Sequence, residues 1–82
     1  MKERQIFIIE GDAKTAAYIR QELATEHYDC TTDTLGLSAL NKLAGNRFDL
    51  IVLDIRLLDI SGLLLCKEIR KISAVPVLSS LS

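Results

Sequence analysis

Apolar and polar positions along this chain switch between two periods. Ile6-Phe7-Ile8-Ile9 and Leu50-Ile51-Val52-Leu53 are unbroken apolar runs, and each ends at a carboxylate, Glu10 and Asp54. A short run of this kind, bounded by acids and turn residues, predicts a strand buried on both faces, as in parallel sheets. The segments between the runs change to helical spacing. Ala16, Ile19 and Leu23 form one stripe, predicting a helix from about Ala13 to Thr25 with Asp12 as its cap. Leu37, Leu40 and Leu43 form another, in a helix that Asp33 or Thr34 can cap and that Gly45 stops with a left-handed end. Leu65, Cys66 and Ile69 face inward from a third helix, about Gly62 to Lys71.

The strands then fall at about Gln5–Glu10, Asp29–Thr32, Asp49–Asp54 and Val75–Ser79, with Pro76 tolerated near the start of the last. The Asp29 strand is too polar for the middle of a sheet and belongs at an edge. Strand and helix alternate throughout, which predicts an α/β fold with a parallel sheet and right-handed crossovers. In such sheets chemistry gathers beyond the carboxyl ends of the strands. Glu10, Asp12 and Asp54 are expected there.

Composition narrows the classes. At 82 residues the chain holds one domain, and its 49% apolar and 26% charged residues exclude disorder. A net charge of −1 with no cluster of Lys or Arg gives no footprint for nucleic acid. No apolar run reaches the roughly 18 residues of a membrane span, and Met1-Lys2-Glu3-Arg4 lacks the apolar core of a secretory signal. Cys30 and Cys66 have no metal-binding spacing and read as buried free thiols, which suits a reducing cytoplasm. His27, alone in Glu26-His27-Tyr28, reads as a surface turn residue.

The four glycines, Gly11, Gly36, Gly45 and Gly62, cannot form a dinucleotide fingerprint or a P-loop. No GxSxG elbow is present either. What remains is Glu10, Asp12 and Asp54, with Asp59 further along the loop. Two strands that deliver carboxylates to one edge suggest a divalent-cation site with a nucleophilic aspartate, because a carboxylate attacks a phosphoryl group only when the negative charge is offset. The competing role is structural: Glu10 and Asp12 capping the first helix, Asp54 capping the turn after its strand. The residues themselves leave both open.

From about Gln5 onward the chain resembles the receiver domain of bacterial two-component response regulators. The resemblance is carried by Ile8-Ile9-Glu10-Gly11-Asp12, by Gly36 with Ala39-Leu40, and by the Asp49-to-Asp54 strand with Gly62 eight residues on. Gly62-Leu63, Cys66, Ile69-Arg70 and Val75-Pro76-Val77 complete it. It implies a flavodoxin-like, doubly wound sheet of order 2-1-3-4-5. It implies that Asp54 accepts a phosphoryl group from a histidine kinase with Mg²⁺ held by Glu10, Asp12, Asp54 and the Arg56 backbone carbonyl. By the same resemblance residues 1–82 are one receiver domain, with four strands and three helices, ending before the family's fifth strand, its lysine and its last helices. The family commonly adds a DNA-binding domain for transcription regulation.

The chain also departs from the pattern. Gly11 stands where the family has a metal-ligating aspartate, so Mg²⁺ binding is expected to be weak. Leu58 replaces a usual proline, and the family's switch Ser/Thr falls on Leu81, flanked by Ser80 and Ser82. Two rival readings follow: a phosphorylation-independent pseudo-receiver that acts by binding protein, and an aspartate-nucleophile phosphohydrolase. The latter usually has a second acid where Arg56 stands. With Val75, Val77 and Leu78 on an outer fourth strand, the chain is expected to form a homodimer or larger oligomer through that strand and the sheet face.

Overall fold

The computed structural model describes residues 3–54 and 56–80, with Ser80 by its backbone alone. The expected switch position at Leu81, with Ser80 and Ser82 beside it, therefore lies outside the described side chains, as do Met1, Lys2 and Ile55. Seven elements follow in strict alternation: β1 (Gln5–Ile9), α1 (Ala13–Ala24), β2 (Asp29–Asp33), α2 (Gly36–Gly45), β3 (Leu50–Asp54), α3 (Gly62–Ile72) and β4 (Val77–Ser80). The sheet is parallel throughout, in the order β2-β1-β3-β4. The polar strand β2 sits at the edge, as its composition predicts. The arrangement is the expected flavodoxin-like α/β fold, with four strands and three helices among the described residues.

Strand alternation divides the core in two. Phe7, Ile9, Ile51 and Leu53 point to the face covered by α2 and α3, where Ala39, Leu43, Leu65 and Ile69 meet them. Phe48, just ahead of β3, stacks on Phe7 with ring centroids 4.6 Å apart. Ile6, Ile8 and Cys30 point to the other face, against Ile19 and Leu23 of α1. There Leu50 and Val52 are half-buried, so β3 is not sealed equally on both sides. A single described helix covers that face, and it packs over β2 and β1 rather than over β3.

Several local expectations give way to tertiary contacts. The helix α2 buries Gly36, Ala39 and Leu43, while Leu37 is 55% exposed. At about 100° per residue, this one-position shift turns Leu37 off the inward face. Neither Asp33 nor Thr34 is its N-cap. That position falls on Leu35, whose side chain caps nothing. Asp33 instead accepts from the Leu35 amide and pairs with Lys42 at 3.2 Å.

Gly45 has no left-handed backbone, and α2 passes into extended Asn46, whose side-chain amide donates to the Lys42 carbonyl. The left-handed residue is His27, at φ 66°. There Tyr28 and His27 donate to the carbonyls of Leu23 and Ala24, the bond pair that closes a helix in a Schellman turn. Both cysteines are free, Cys30 buried and Cys66 half-buried. Burial pushes the Cys30 thiol up from its ordinary pKa, which keeps it unreactive.

Candidate phosphoryl-acceptor site

The pairing of β1 with β3 sets Ile9 opposite Leu53, so the next residues, Glu10 and Asp54, leave the sheet side by side. They open into a cleft of about 490 Å³ that Gly11, Asp12, Thr15, Arg56 and Leu58 also line. Asp54 lies on the floor at 7% exposure and is the one buried charged residue among those described. Its Oδ1 accepts from the Arg56 amide at 3.0 Å and faces the Arg56 Nε at 3.4 Å. The Arg56 amide bond, with the guanidinium and a hydrogen bond to Glu10 in support, holds the Asp54 carboxyl below its usual range. Burial pushes Glu10 the opposite way, and the neighbouring Asp54 adds to the push. Two acids with opposed shifts in one cleft make this the candidate site.

Asp12 behaves differently. Its carboxylate accepts from the Thr15 hydroxyl at 2.6 Å and from the Lys14 amide at 3.4 Å, as the N-cap of α1. The Thr15 bond holds its pKa below the usual value. Asp12 thus lines the rim with its side chain engaged by the helix, while its own amide donates to Glu10 Oε2 at 3.0 Å. The structure brings Glu10 and Asp54 together and gives Asp12 the capping role. Thr15 went unnoticed in the sequence, although three residues after Asp12 is the spacing at which an N-cap meets its partner. A second groove of about 430 Å³, between α1 and β2, is lined mainly by alanines and threonines and offers Arg20 as its one charge.

Residues 6–80 match the family described as the response regulator receiver domain. The chain belongs to that family. This receiver is 35% identical over 74 residues to the response regulator ArlR of Staphylococcus aureus. That match takes in 90% of the chain but 34% of ArlR, so the chain spans about a third of the curated relatives' length. A two-component response regulator from Clostridium difficile superposes with a TM-score of 0.90 at 30% identity, over 94% of this chain and 64% of that one. The response regulator TrrA, solved in complex with the histidine kinase ThkA, gives 0.87 at 30% identity, over 93% and 66%.

A divalent cation fits the donors of this receiver in reduced form. Among the described residues, no group of three or more acids, histidines or cysteines gathers around one point. Glu10 and Asp54 remain, together with the Arg56 carbonyl. A Cβ on Gly11 would stand 3.1 Å from that carbonyl oxygen, so the vacant side-chain position points into the site. Two carboxylates and a carbonyl are enough for a Mg²⁺ ion that keeps several waters. The charge they supply is one short of a set with an acid at position 11, and Arg56 offsets part of it.

The opposed pKa shifts give opposite pH dependences. Asp54, depressed, contributes stability above the ordinary aspartate value and loses it as pH falls through its folded value. Glu10, raised, costs stability once pH exceeds the ordinary glutamate value, fully so above its folded value. Glu10→Gln should therefore stabilise the metal-free protein at neutral pH, and the gain should shrink to nothing as pH falls below the ordinary glutamate range. Urea titrations across pH in chelator check this. A loss of stability at neutral pH would mean that the Asp12 amide holds the Glu10 anion more strongly than burial and Asp54 disfavour it.

Proposed function

We propose that this chain is the phospho-acceptor module of a two-component response regulator, with Asp54 as the residue that takes the phosphoryl group. One observation carries the reading: a carboxylate buried at the end of a central strand, kept ionised by its neighbours, on the floor of a cleft open to solvent. In the step proposed, an Asp54 carboxylate oxygen attacks the phosphorus of a phosphohistidine. A P–O bond forms as the P–N bond breaks, and the imidazole leaves with the electron pair and takes a proton. Oδ1 is engaged by Arg56, and the donor would enter through the cleft that Glu10, Arg56 and Leu58 line. Glu10, Asp54 and the Arg56 carbonyl would hold Mg²⁺, which supplies charge neutralisation when bound.

One relative supports the partner. TrrA was solved with a histidine kinase, and a kinase is the donor proposed here. Residues 1–82 are read as one receiver module, in a cytoplasmic protein, and no described helix is long and apolar enough to cross a membrane. Control of transcription would belong to a longer regulator such as the relatives are. Gly11 and Arg56 favour a second reading, a pseudo-receiver that works by protein contact alone, because together they make the site less negative. The phosphohydrolase reading has Arg56 against it.

Incubation with Mg²⁺ and acetyl phosphate should add the mass of one phosphoryl group to the intact protein, and Asp54→Asn should abolish the gain. No uptake by the wild type would favour the pseudo-receiver, uptake surviving in Asp54→Asn would move the acceptor elsewhere, and many turnovers of free phosphate would favour the hydrolase.

Mg²⁺ should bind weakly, and Gly11→Asp should tighten it severalfold in calorimetric titration, since each added carboxylate strengthens a hard-cation site. The Arg56 carbonyl must yield a few tenths of an ångström to the new Cβ. Tight binding already in the wild type, with no gain from the substitution, would sink this.

Self-association through β4 is proposed on the same footing. Leu78 of β4 is 61% exposed among the described residues and lies level with half-buried Val52, on the sheet face where α1 packs over β1 and β2 rather than β3. Sedimentation velocity should show a concentration-dependent dimer that Leu78→Lys dissociates. A sharp monomer at tens of micromolar would end the idea.

A further inference from the structure

We propose that Asp59 is a positioning residue for the acceptor site, tying the loop after β3 to the first turn of α2 and thereby fixing Arg56 over Asp54. The inference rests on the reading of Asp54 given above. Asp59 Oδ1 accepts from the Gly36 amide and Oδ2 from the Leu37 amide, each at 2.9 Å and across more than twenty residues of chain. The first N–H groups of a helix have no partner within it, and the Leu35 side chain supplies none. The cap for α2 therefore comes from the acceptor loop itself. These two amides, more than any other contact, hold the Asp59 carboxyl below its usual pKa.

The contact is fastened from a second side. A Cβ on Gly36 would lie 2.3 Å from Ile60 Cγ2 and 3.3 Å from Leu57 Cδ1, so glycine lets the loop seat directly on the helix backbone. The Leu57 side chain reaches the opposite way too, with its Cδ2 3.8 Å from where a Cβ on Gly11 would stand. Leu57 thus fills the space between Gly36 and Gly11, one residue after the Arg56 amide that bonds Asp54 Oδ1. Leu58, next in line, is 92% exposed and anchors nothing. It also lacks the ring that would fix φ where the family usually has proline. Between Arg56 and Ile60, the loop is held by Leu57 packing and by the Asp59 bonds. Release of Asp59 would let the Arg56 amide and carbonyl drift, and a misplacement of an ångström at such a distance costs rate rather than folding.

Re-capping α2 without the tether separates the two roles. Asp59→Ala should lower stability and slow acyl-phosphate formation from acetyl phosphate, at saturating Mg²⁺, by roughly fivefold to a hundredfold. Asp59→Asn, with one acceptor oxygen left, should fall between, and it carries the comparison if the alanine variant does not fold. Adding Leu35→Ser to Asp59→Ala gives α2 a cap of its own. Stability should return while the rate stays low and amide hydrogen exchange at Arg56 and Leu57 stays fast. Recovery of rate together with stability, or exchange at Arg56 and Leu57 that matches the wild type in the double variant, would make Asp59 a helix cap and nothing more. If the wild type itself takes up no phosphoryl group, the reading of Asp54 falls, and exchange at the two amides alone decides the tether.

Discussion

In the ladder between β1 and β3, Ile6, Phe7, Ile8 and Ile9 stand opposite Leu50, Ile51, Val52 and Leu53. This register is set by burial on both sides of β1, because a slip by one residue would carry Phe7 and Ile9 to the α1 face and Ile6 and Ile8 to the other. Fixing it fixes everything beyond it. Glu10 and Asp54 emerge level with each other because the four apolar pairs beneath them run in step. The site's geometry is thus a by-product of core packing, and its rigidity is that of the sheet.

Two like charges held together that way need an answering positive charge. In the protein alone the answer comes in part from Arg56, whose amide and Nε both meet Oδ1 of Asp54. The result is unequal: Asp54 stays ionised easily while Glu10 does so reluctantly. The guanidinium is largely exposed, so its contribution is modest and screened by salt. An incoming cation would meet a site already part-neutralised.

Much of this was legible in the order of residues. Unbroken apolar runs ending in acids gave two central strands and their acidic tips, and a polar strand gave an edge, because burial leaves a direct mark on composition. What escaped were contacts across the chain. No local rule could assign the α2 cap to Asp59, since a cap more than twenty residues away leaves no mark near Gly36. Leu37 fitted a three-residue stripe as well as Ala39 did, and the choice was made by Leu57, Ile60 and Leu65 packing near the helix start. Gly45 was the obvious left-handed residue, yet α1 closes through His27, where the positive φ comes with two backbone bonds that a histidine can also form. Asp12 held two readings at once, and a threonine three residues on drew it toward the helix.

All strand pairs being parallel has a consequence for how the protein comes into being. Antiparallel neighbours can zip from a short turn, but each parallel pair here must first close a crossover loop. The bond from Gln5 to Asp29 spans 24 residues, and that from Gln5 to Asp49 spans 44. Loop closure costs entropy before any pairing repays it, and non-local pairing slows folding for that reason. A nascent or partly folded chain that has joined β1 to β2 already displays Glu10 and the start of α1, yet Glu10 has no companion. The acid pair comes into existence with the longest closure around β1, so a chain that presents both carboxylates together has already built the central ladder beneath them.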